Sequence, residues 1–535
     1  MIDGSFLGST DKKIGDKELD GGAVGSAAAG VASLMVFGKF VTLFISGITF
    51  IIVARVLGPS VYGVYVLAIS YTGLFTGMAD LGVNTAINKF IAQYRAGGSK
   101  EDLNKLISNG YVSVILSGLA FSLIAFSLSG FIAVHILGNA SQTYIVQVVS
   151  FCVLAAGLFG ISYNMMVGFG KGSYVALVII MQSLVQSVIS IILVVLGFGA
   201  IAPILGLLIG YLATAVTVFV LLTMKFRIEL RKPSFSYIKK FVGFSSSISV
   251  YNSLRTIVFN VAPIVLGIFA TTVVVGNFGV AVKTSAIISN MTDALGIAVL
   301  PMFAYTVSAK SIGKSIGKFY NYAAYMTFVL VTPALFYLAM LSREFSFTVF
   351  SSKYLLAPSY ISVISLGTLL WVLATYTTML LISTNKVREI LKYSIIIACI
   401  ELTLIFTIVP VFGGLGLSFI LFIITPSLII LLLSRAVRNL LNIHLNLRKL
   451  ARVVIAGLIS AAFLLPLLYI IPGRYVAILV IGAIEQMAVY PAILAFTGAA
   501  GREELKVLRD ITGKIPIMSS IIRVFAGYAG LFIRA

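Results

Sequence analysis

Apolar side chains run along this chain in stretches of about 20 residues, with polar ones gathered in the breaks, the spacing of helices that cross a bilayer. Fourteen such runs can be placed, at residues 33–57, 62–81, 112–137, 144–169, 174–196, 201–224, 244–270, 275–303, 320–341, 360–382, 393–411, 415–433, 453–471 and 476–496. The predicted fold is an all-α polytopic membrane protein with about 14 transmembrane helices. Towards the C-terminus Ile521, Val524, Phe525, Tyr528 and Phe532 recur at helical spacing beside Arg523, the pattern of an interfacial amphipathic helix rather than a fifteenth span.

Composition narrows the class. Of 535 residues 60% are hydrophobic and only 10% charged, too little polar surface to cover that interior in water. A large soluble catalytic domain is excluded. The first 30 residues are polar and Gly-rich and lack the apolar core of a cleaved signal, so the first span is expected to act as its own signal. Cys152 and Cys399 lie inside apolar runs, which leaves neither a disulfide framework nor a Cys-based metal site, and His135 and His444 are far apart in sequence. The net charge of +21 would suit nucleic acid, but the basic residues fall between the apolar runs, where they read as membrane anchors, so no nucleic-acid partner is expected. With the N-terminus inside, 31 of the 38 Lys and Arg fall in cytoplasmic segments, Arg343, Lys353 and Arg474 fall outside, and Lys39, Arg55, Arg255 and Lys283 lie within spans. This predicts a multi-pass plasma-membrane protein with both termini cytoplasmic. One outer loop carries Asn139-Ala140-Ser141, a glycosylation acceptor pattern.

The chain also repeats itself. A shift of 213 residues lays Gly63 on Gly276, Tyr65 on Phe278 and Asp80 on Asp293. A basic amphipathic stretch follows each Asp, with Lys89, Arg95, Lys100 and Lys105 in the first half and Lys310, Lys314 and Lys318 in the second. Tight basic turns at Lys171 and Lys386 correspond at an offset of 215. Six spans is an even number, so the halves are expected to be parallel repeats about an axis along the membrane normal, as in transporters. The expected organisation is a polar cytoplasmic segment at 1–30, six-helix bundles at 31–232 and 233–434, two additional spans at 435–499 and a cytoplasmic amphipathic tail at 500–535.

An ionisable residue inside a span costs roughly 2.5 to 3.5 kcal/mol on insertion scales and calls for a cavity or a partner. Eight need accounting: Lys39 and Arg55 in the first span, Asp80 in the second, Arg255 in the seventh, Lys283 and Asp293 in the eighth, Glu401 in the eleventh and Glu485 in the fourteenth. Arg55 stands at a span end, where its long side chain can snorkel to water. Lys39 shares a helical face with Thr42, Ser46 and Thr49. Tyr65, Thr72, Thr76 and Asp80 form a stripe in the second span, Ser245, Ser249, Asn252 and Arg255 one in the seventh, and Lys283 and Asn290 share a face of the eighth. Hydroxyls alone are better explained by helix packing, whereas the cations are not. On helices that a two-bundle arrangement brings to the interface, Lys39, Arg255 and Lys283 would form an anion-binding surface strengthened by low-dielectric walls, so the expected substrate is anionic. Asp80 and Asp293, near the inner ends of their spans, read either as gates or as residues that fix a helix end. Glu401 and Glu485 read either as a proton or sodium relay or as neutral carboxyls bonded to a neighbouring helix.

No GxxxxGK[ST], HExxH or DxD sequence occurs, and the alternating Asp16, Glu18 and Asp20 lie in the N-terminal segment. Neither ATP hydrolysis nor metal-dependent glycosyl transfer is expected, and the chain is read as a non-enzyme without a cofactor.

The run Ala54-Arg55-Val56-Leu57-Gly58-Pro59-Ser60-Val61-Tyr62-Gly63-Val64-Tyr65, followed by Ala79-Asp80-Leu81-Gly82-Val83-Asn84 and Phe90-Ile91-Ala92, resembles the first two spans of the polysaccharide transport family, the Wzx-type flippases of the MOP exporter superfamily. The stretch from Val275-Gly276-Asn277-Phe278 through Leu300-Pro301 is similar to that family's eighth span, and Ile408-Val409-Pro410 with Gly413, Gly414 and Gly416 to its turn after the eleventh. The resemblance runs from about Gly30 to Phe496. It implies two six-helix bundles in a V around a central cavity, with two extra helices. It also implies outward flipping of a polyprenyl-(di)phosphate-linked oligosaccharide by alternating access, for surface polysaccharide or glycoconjugate assembly. Lys39, Arg255 and Lys283 would then hold the phosphate, while Thr42, Ser46, Tyr65, Thr72, Asn252 and Asn290 meet sugar hydroxyls and Asp80, Asp293 and Glu401 serve gating or coupling. Na+ or H+ is the candidate coupling ion, and membrane lipids and glycan-assembly enzymes are the candidate partners. Family members often carry an acidic residue in span seven near the position of Asn260, so a coupling scheme built there does not transfer. Three other readings stay open. A multidrug antiporter of the same superfamily would be cation-coupled, with mostly cationic substrates that fit three cavity cations poorly. A lipid II flippase shares the charge logic. A membrane oligosaccharide polymerase or ligase would need catalytic groups on outer loops that are short and nearly uncharged here.

Overall fold

A computed structural model describes residues 21–80, 82–97, 99–234, 247–308, 314–384, 386–441, 443–444 and 446–499. Among these residues the chain is helical, without a strand, and twelve helices are long and apolar enough to cross a membrane. The first half comprises α1 (Gly21–Ala79), the short amphipathic α2 (Val83–Gly97), α3 (Lys100–Ser127), α4 (Ser129–His135), α5 (Thr143–Gly168), α6 (Gly172–Val195) and α7 (Ile201–Met224). The second comprises α8 (Ser247–Phe269), α9 (Thr272–Ser308), α10 (Lys314–Met340), α11 (Ser342–Val349), α12 (Ala357–Ser383), α13 (Val387–Phe419), a π turn (Ile420–Ile424) and α14 (Thr425–Leu441). Three more helices follow, α15 (Leu447–Ala462), α16 (Leu465–Ile470) and α17 (Tyr475–Phe496).

α1 is a hairpin rather than a rod. Its backbone leaves the helix at Gly58, with φ 70° and ψ 172°, a conformation that only glycine adopts at little cost. Pro59 then opens the second arm, where its missing N–H is no loss. The rings of Phe50 and Tyr62 are 6.2 Å apart. A straight helix would hold residues 12 apart at roughly 18 Å, so the arms lie side by side. The expected runs at 33–57 and 62–81 are these two arms. α13 breaks in the same way at Gly413 (φ 55°, ψ −135°).

The apolar core is joined at one end of the molecule and divided at the other. At the Gly58 and Gly413 end a single core links Val53, Tyr62 and Leu67 of α1 and Val149 of α5 with Leu266 of α8, Phe278 of α9, Ile364 of α12 and Leu417 of α13. At the end of the Asp80 and Lys386 turns each half has its own core, one around Ile87, Leu106 and Met165 and the other around Ala324, Leu380 and Val453. Hydrogen bonds reinforce the joined end. Asn277 Oδ1 accepts from the N–H groups of Leu356 (3.1 Å) and Ala357 (2.9 Å), and the Tyr354 hydroxyl donates to the Ala54 carbonyl (2.7 Å).

The second arm of α1 crosses α9 through glycine. A Cβ on Gly63 would overlap the Thr272 carbonyl, and one on Gly276 would overlap the Pro59 carbonyl. These contacts are reciprocal, because Pro59 and Gly63 stand 213 residues before Thr272 and Gly276, the same offset as the sequence repeat. Such mutual contact of one patch with its counterpart is what a two-fold axis between parallel repeats produces.

Candidate functional site

One cavity lies where the halves face one another, and a second lies within the second half. The first, of 160 Å³, is bounded by Ser46, Thr49 and Tyr65 of α1, Ser183, Gln186, Ser187 and Ser190 of α6, and Lys283 and Asn290 of α9. Folding at Gly58 lays Tyr65 beside Ser46. Thr49 donates to the Ile45 carbonyl (2.9 Å) and Ser46 to the Leu43 carbonyl (3.3 Å), so both hydroxyls offer lone pairs to a ligand. Gln182 donates to Gln186 Oε1 (2.7 Å), which leaves the Gln186 amide N–H groups as donors. Lys283 is the one charged residue among those lining this cavity, and its side chain is exposed although it sits mid-helix. One ammonium among hydroxyls and amides suits a ligand that is both anionic and rich in hydroxyls.

The second cavity, of 480 Å³, lies between α8, α12, α13 and α14. Arg255 of α8 donates to the Tyr251 hydroxyl (3.2 Å), and its guanidinium carbon stands 4.7 Å from the Trp371 ring centre. Trp371, the single tryptophan of the chain, donates its indole N–H to the Leu421 carbonyl (3.0 Å) inside the π turn. Such turns interrupt the regular i→i−4 ladder and recur at functional sites. Arg255 is thus held against an anchored aromatic face, on which a planar guanidinium can stack and an ammonium cannot. Glu401, buried to 8% exposure, lines the same cavity with Ser394, Thr425, Asn252 and Asn260. No ion pair joins Arg255 to Glu401 among the described residues.

The expected residues therefore divide. Lys283, Asn290, Ser46 and Tyr65 come together in the first cavity, and Arg255, Asn252 and Glu401 in the second. Lys39 lies on the face of α1 that carries Ser46, half-buried, and lines neither cavity, so the three cations do not share one surface. Thr42 is half-buried, and its hydroxyl has no hydrogen-bond partner. Thr72 is buried, and its hydroxyl is within 3.1 Å of the Ala68 carbonyl and 3.2 Å of the Val149 carbonyl, in the packing of α1 on α5. Asp80 follows the last residue of α1 and accepts from the Asn84 N–H (3.3 Å), at the start of α2. Glu485 is half-buried on α17. The side chains of Asp293 and Ser245, all of Lys310, and the segments 1–20 and 500–535 lie outside the described residues.

Sequence reasoning missed the α6 stripe, although Ser183, Gln186, Ser187 and Ser190 recur at helical spacing within the apolar run 174–196. It also missed Trp371, which is 116 positions from Arg255 and shares no periodicity with it. Among the described residues no group of His, Cys, Asp or Glu could hold a metal ion.

Residues 27–307, just over half of the chain, match the family model described as polysaccharide biosynthesis protein. No curated protein has a matching sequence. The fold is similar to that of the lipid II flippase MurJ in an inward closed conformation, with 14% identity and a TM-score of 0.70 over 87% of this chain and 98% of that one. It is similar to an inward-facing multidrug resistance MATE family transporter of the MOP superfamily, with 15% identity and a TM-score of 0.61 over 76% and 94% of the two chains. A MOP superfamily transporter from Pyrococcus furiosus shares the fold at 16% identity and a TM-score of 0.57, over 78% and 96%. At these identities the likeness establishes the fold, and the site chemistry rests on this chain's own residues.

Proposed function

We propose that this chain, which belongs to the polysaccharide biosynthesis protein family, is a flippase that carries a polyprenyl-(di)phosphate-linked oligosaccharide from the inner to the outer leaflet by alternating access. The observation that carries this reading is the pairing of a lone cation, Lys283, with the hydroxyls and amides of Ser46, Thr49, Tyr65, Gln186 and Asn290 in one cavity between the halves. Lys283 takes the phosphate charge and the polar side chains take sugar hydroxyls. Arg255, fixed on Trp371, is a second phosphate contact reached as the head group moves toward α8, with Asn252 beside it. Glu401 in the same cavity is the coupling residue, taking up H+ or Na+.

The positive-inside rule supports a cytoplasmic location for the Lys- and Arg-rich ends and for both termini. The divided core then faces the cytoplasm, and a head group in the inner leaflet has access to the cleft. Release requires the joined core to part while the opposite ends of the bundles, 31–232 and 233–434, draw together. The structural likeness to a lipid II flippase favours a second cargo of the same chemistry, another polyprenyl diphosphate with a sugar head.

Translocation in proteoliposomes tests the proposal, with a labelled polyprenyl-diphosphate oligosaccharide, lipid II and a cationic dye offered in parallel to wild type and Arg255→Ala. The proposal expects the oligosaccharide lipid to cross with wild type and about 100-fold more slowly with the variant. Transport of lipid II alone would replace the cargo. Transport of the dye alone, or normal flipping by Arg255→Ala, would overturn the anion-site reading.

A further inference from the structure

At the Lys- and Arg-rich end of the second half, apart from both cavities above, α10, the connection after α14 and the start of α15 enclose a third cavity of 660 Å³. Lys318 and Lys449 line it with His444, and no carboxylate is among the residues that line it. Its walls are fixed by a chain of hydrogen bonds. The Asn321 amide donates to the His444 carbonyl (2.9 Å) and accepts from the Asn446 N–H (2.7 Å), while Asn446 accepts from the Lys449 N–H (3.2 Å) and caps α15. The Lys449 ammonium stands 4.5 Å from the centre of the Tyr325 ring, and the Tyr325 hydroxyl donates to the Ala499 carbonyl.

Along the two chain segments that form this cavity the charge is of one sign. Between residues 402 and 484 the sequence has no Asp or Glu, while Arg435, Arg438, Arg448 and Arg452 flank the connection. On the other wall, no acidic residue follows Lys318 until Glu344, beyond the far end of α10. The depth is also defined. The apolar spans on either side begin at Ile316 and Leu447, so the cavity sits where hydrocarbon gives way to lipid headgroups. A basic pocket between helices at that level is suited to a headgroup phosphate.

We propose that this cavity binds a phosphate-bearing ligand at the membrane surface, an anionic phospholipid headgroup, held by Lys318 and Lys449. The bound headgroup bridges α10 to α15 and so ties the additional helices to the second half. This inference is independent of the transport reading.

The test follows thermal unfolding of the purified full chain in phosphatidylcholine nanodiscs as phosphatidylglycerol is titrated in, with glycerol 3-phosphate as the soluble arm. Phosphatidylglycerol is expected to raise Tm in wild type. The half-saturating content rises about fivefold in Lys318→Gln and about twenty-five-fold in K318Q/K449Q. Lys318→Arg keeps the wild-type response, as does Lys353→Gln at the opposite end of the molecule. Lys318 is exposed, so its single substitution leaves the packing intact and reads binding even where the double variant fails to fold. A response to glycerol 3-phosphate equal to that of the lipid supports the phosphate site with a soluble source. An unchanged phosphatidylglycerol response in Lys318→Gln, or no response of wild type to either ligand, overturns the proposal.

Discussion

In the first half, the polar side chains lining the cavity between the halves carry hydroxyls and amides, among them Ser46, Tyr65, Ser183 and Gln186, whereas the second half supplies the charges, Lys283 to that cavity and Arg255 and Glu401 to the one within it. The two halves nonetheless share a backbone plan and meet through equivalent glycines, Gly63 and Gly276. A close helix crossing constrains both partners alike, since a side chain on either glycine would strike the other helix's carbonyl. The cavity wall carries no such constraint, and there the halves have diverged. On the proposed function, one wall then reads neutral sugar while the other reads anionic phosphate. Among the residues that line the two cavities, the groups expensive to desolvate are confined to one bundle, where Trp371 and Tyr251 hold the guanidinium.

Six substitutions at five positions probe this division. Gly63→Val forces a side chain into the Thr272 carbonyl and is expected to cost about 3 kcal/mol, with Gly276→Val equal to it, as followed by Tm in detergent. A large cost on one side only would break the reciprocity of the crossing. Arg255→Ala is expected to slow flipping about 100-fold with normal membrane insertion, because a phosphate would lose its desolvated partner. Arg255→Lys should recover only part of the rate, since an ammonium does not stack on Trp371 as a guanidinium does. On the Lys283 side, Lys283→Gln should weaken binding of the lipid-linked cargo about tenfold and leave an uncharged sugar head unaffected, as read by competition. Equal losses for both ligands would end the assignment of phosphate to this wall. Smallest of all, Gln186→Ala should cost about threefold, the size of one neutral hydrogen bond, and only for cargo with a sugar head.

Much of the fold was legible because membrane helices must be long and apolar, and because the crossing at Gly63 leaves glycine at both members of the repeat. The chain breaks after Leu57 and after Val411 were legible for the same reason, although the structure continues each pair of runs as one bent helix. The cavity was legible only along each helix. Helical spacing grouped Lys283 with Asn290, and both line one cavity. Spacing does not tell which way a face turns: Thr72 shares the stripe of Tyr65 yet contacts the Val149 carbonyl, and Lys39 shares the face of Ser46 yet lines neither cavity. Nothing along α6 marks its stripe as facing Lys283, and only tertiary structure brings the two into one cavity. Arg255 and Trp371 belong to different helices, so only tertiary structure pairs them.

The crossing at Gly63 and Gly276 joins backbone to backbone at its centre, with the Ser60 and Thr272 hydroxyls 3.2 Å apart beside it as a weak tie to release before one helix turns on the other. It is therefore a bearing rather than a latch. Asp80 lies 17 residues beyond Gly63, roughly 26 Å along the helix, so a rotation of about 15° at the bearing swings that end by roughly 7 Å. Two small surfaces in contact near the axis of a long lever let the halves change posture widely while the joint itself hardly moves.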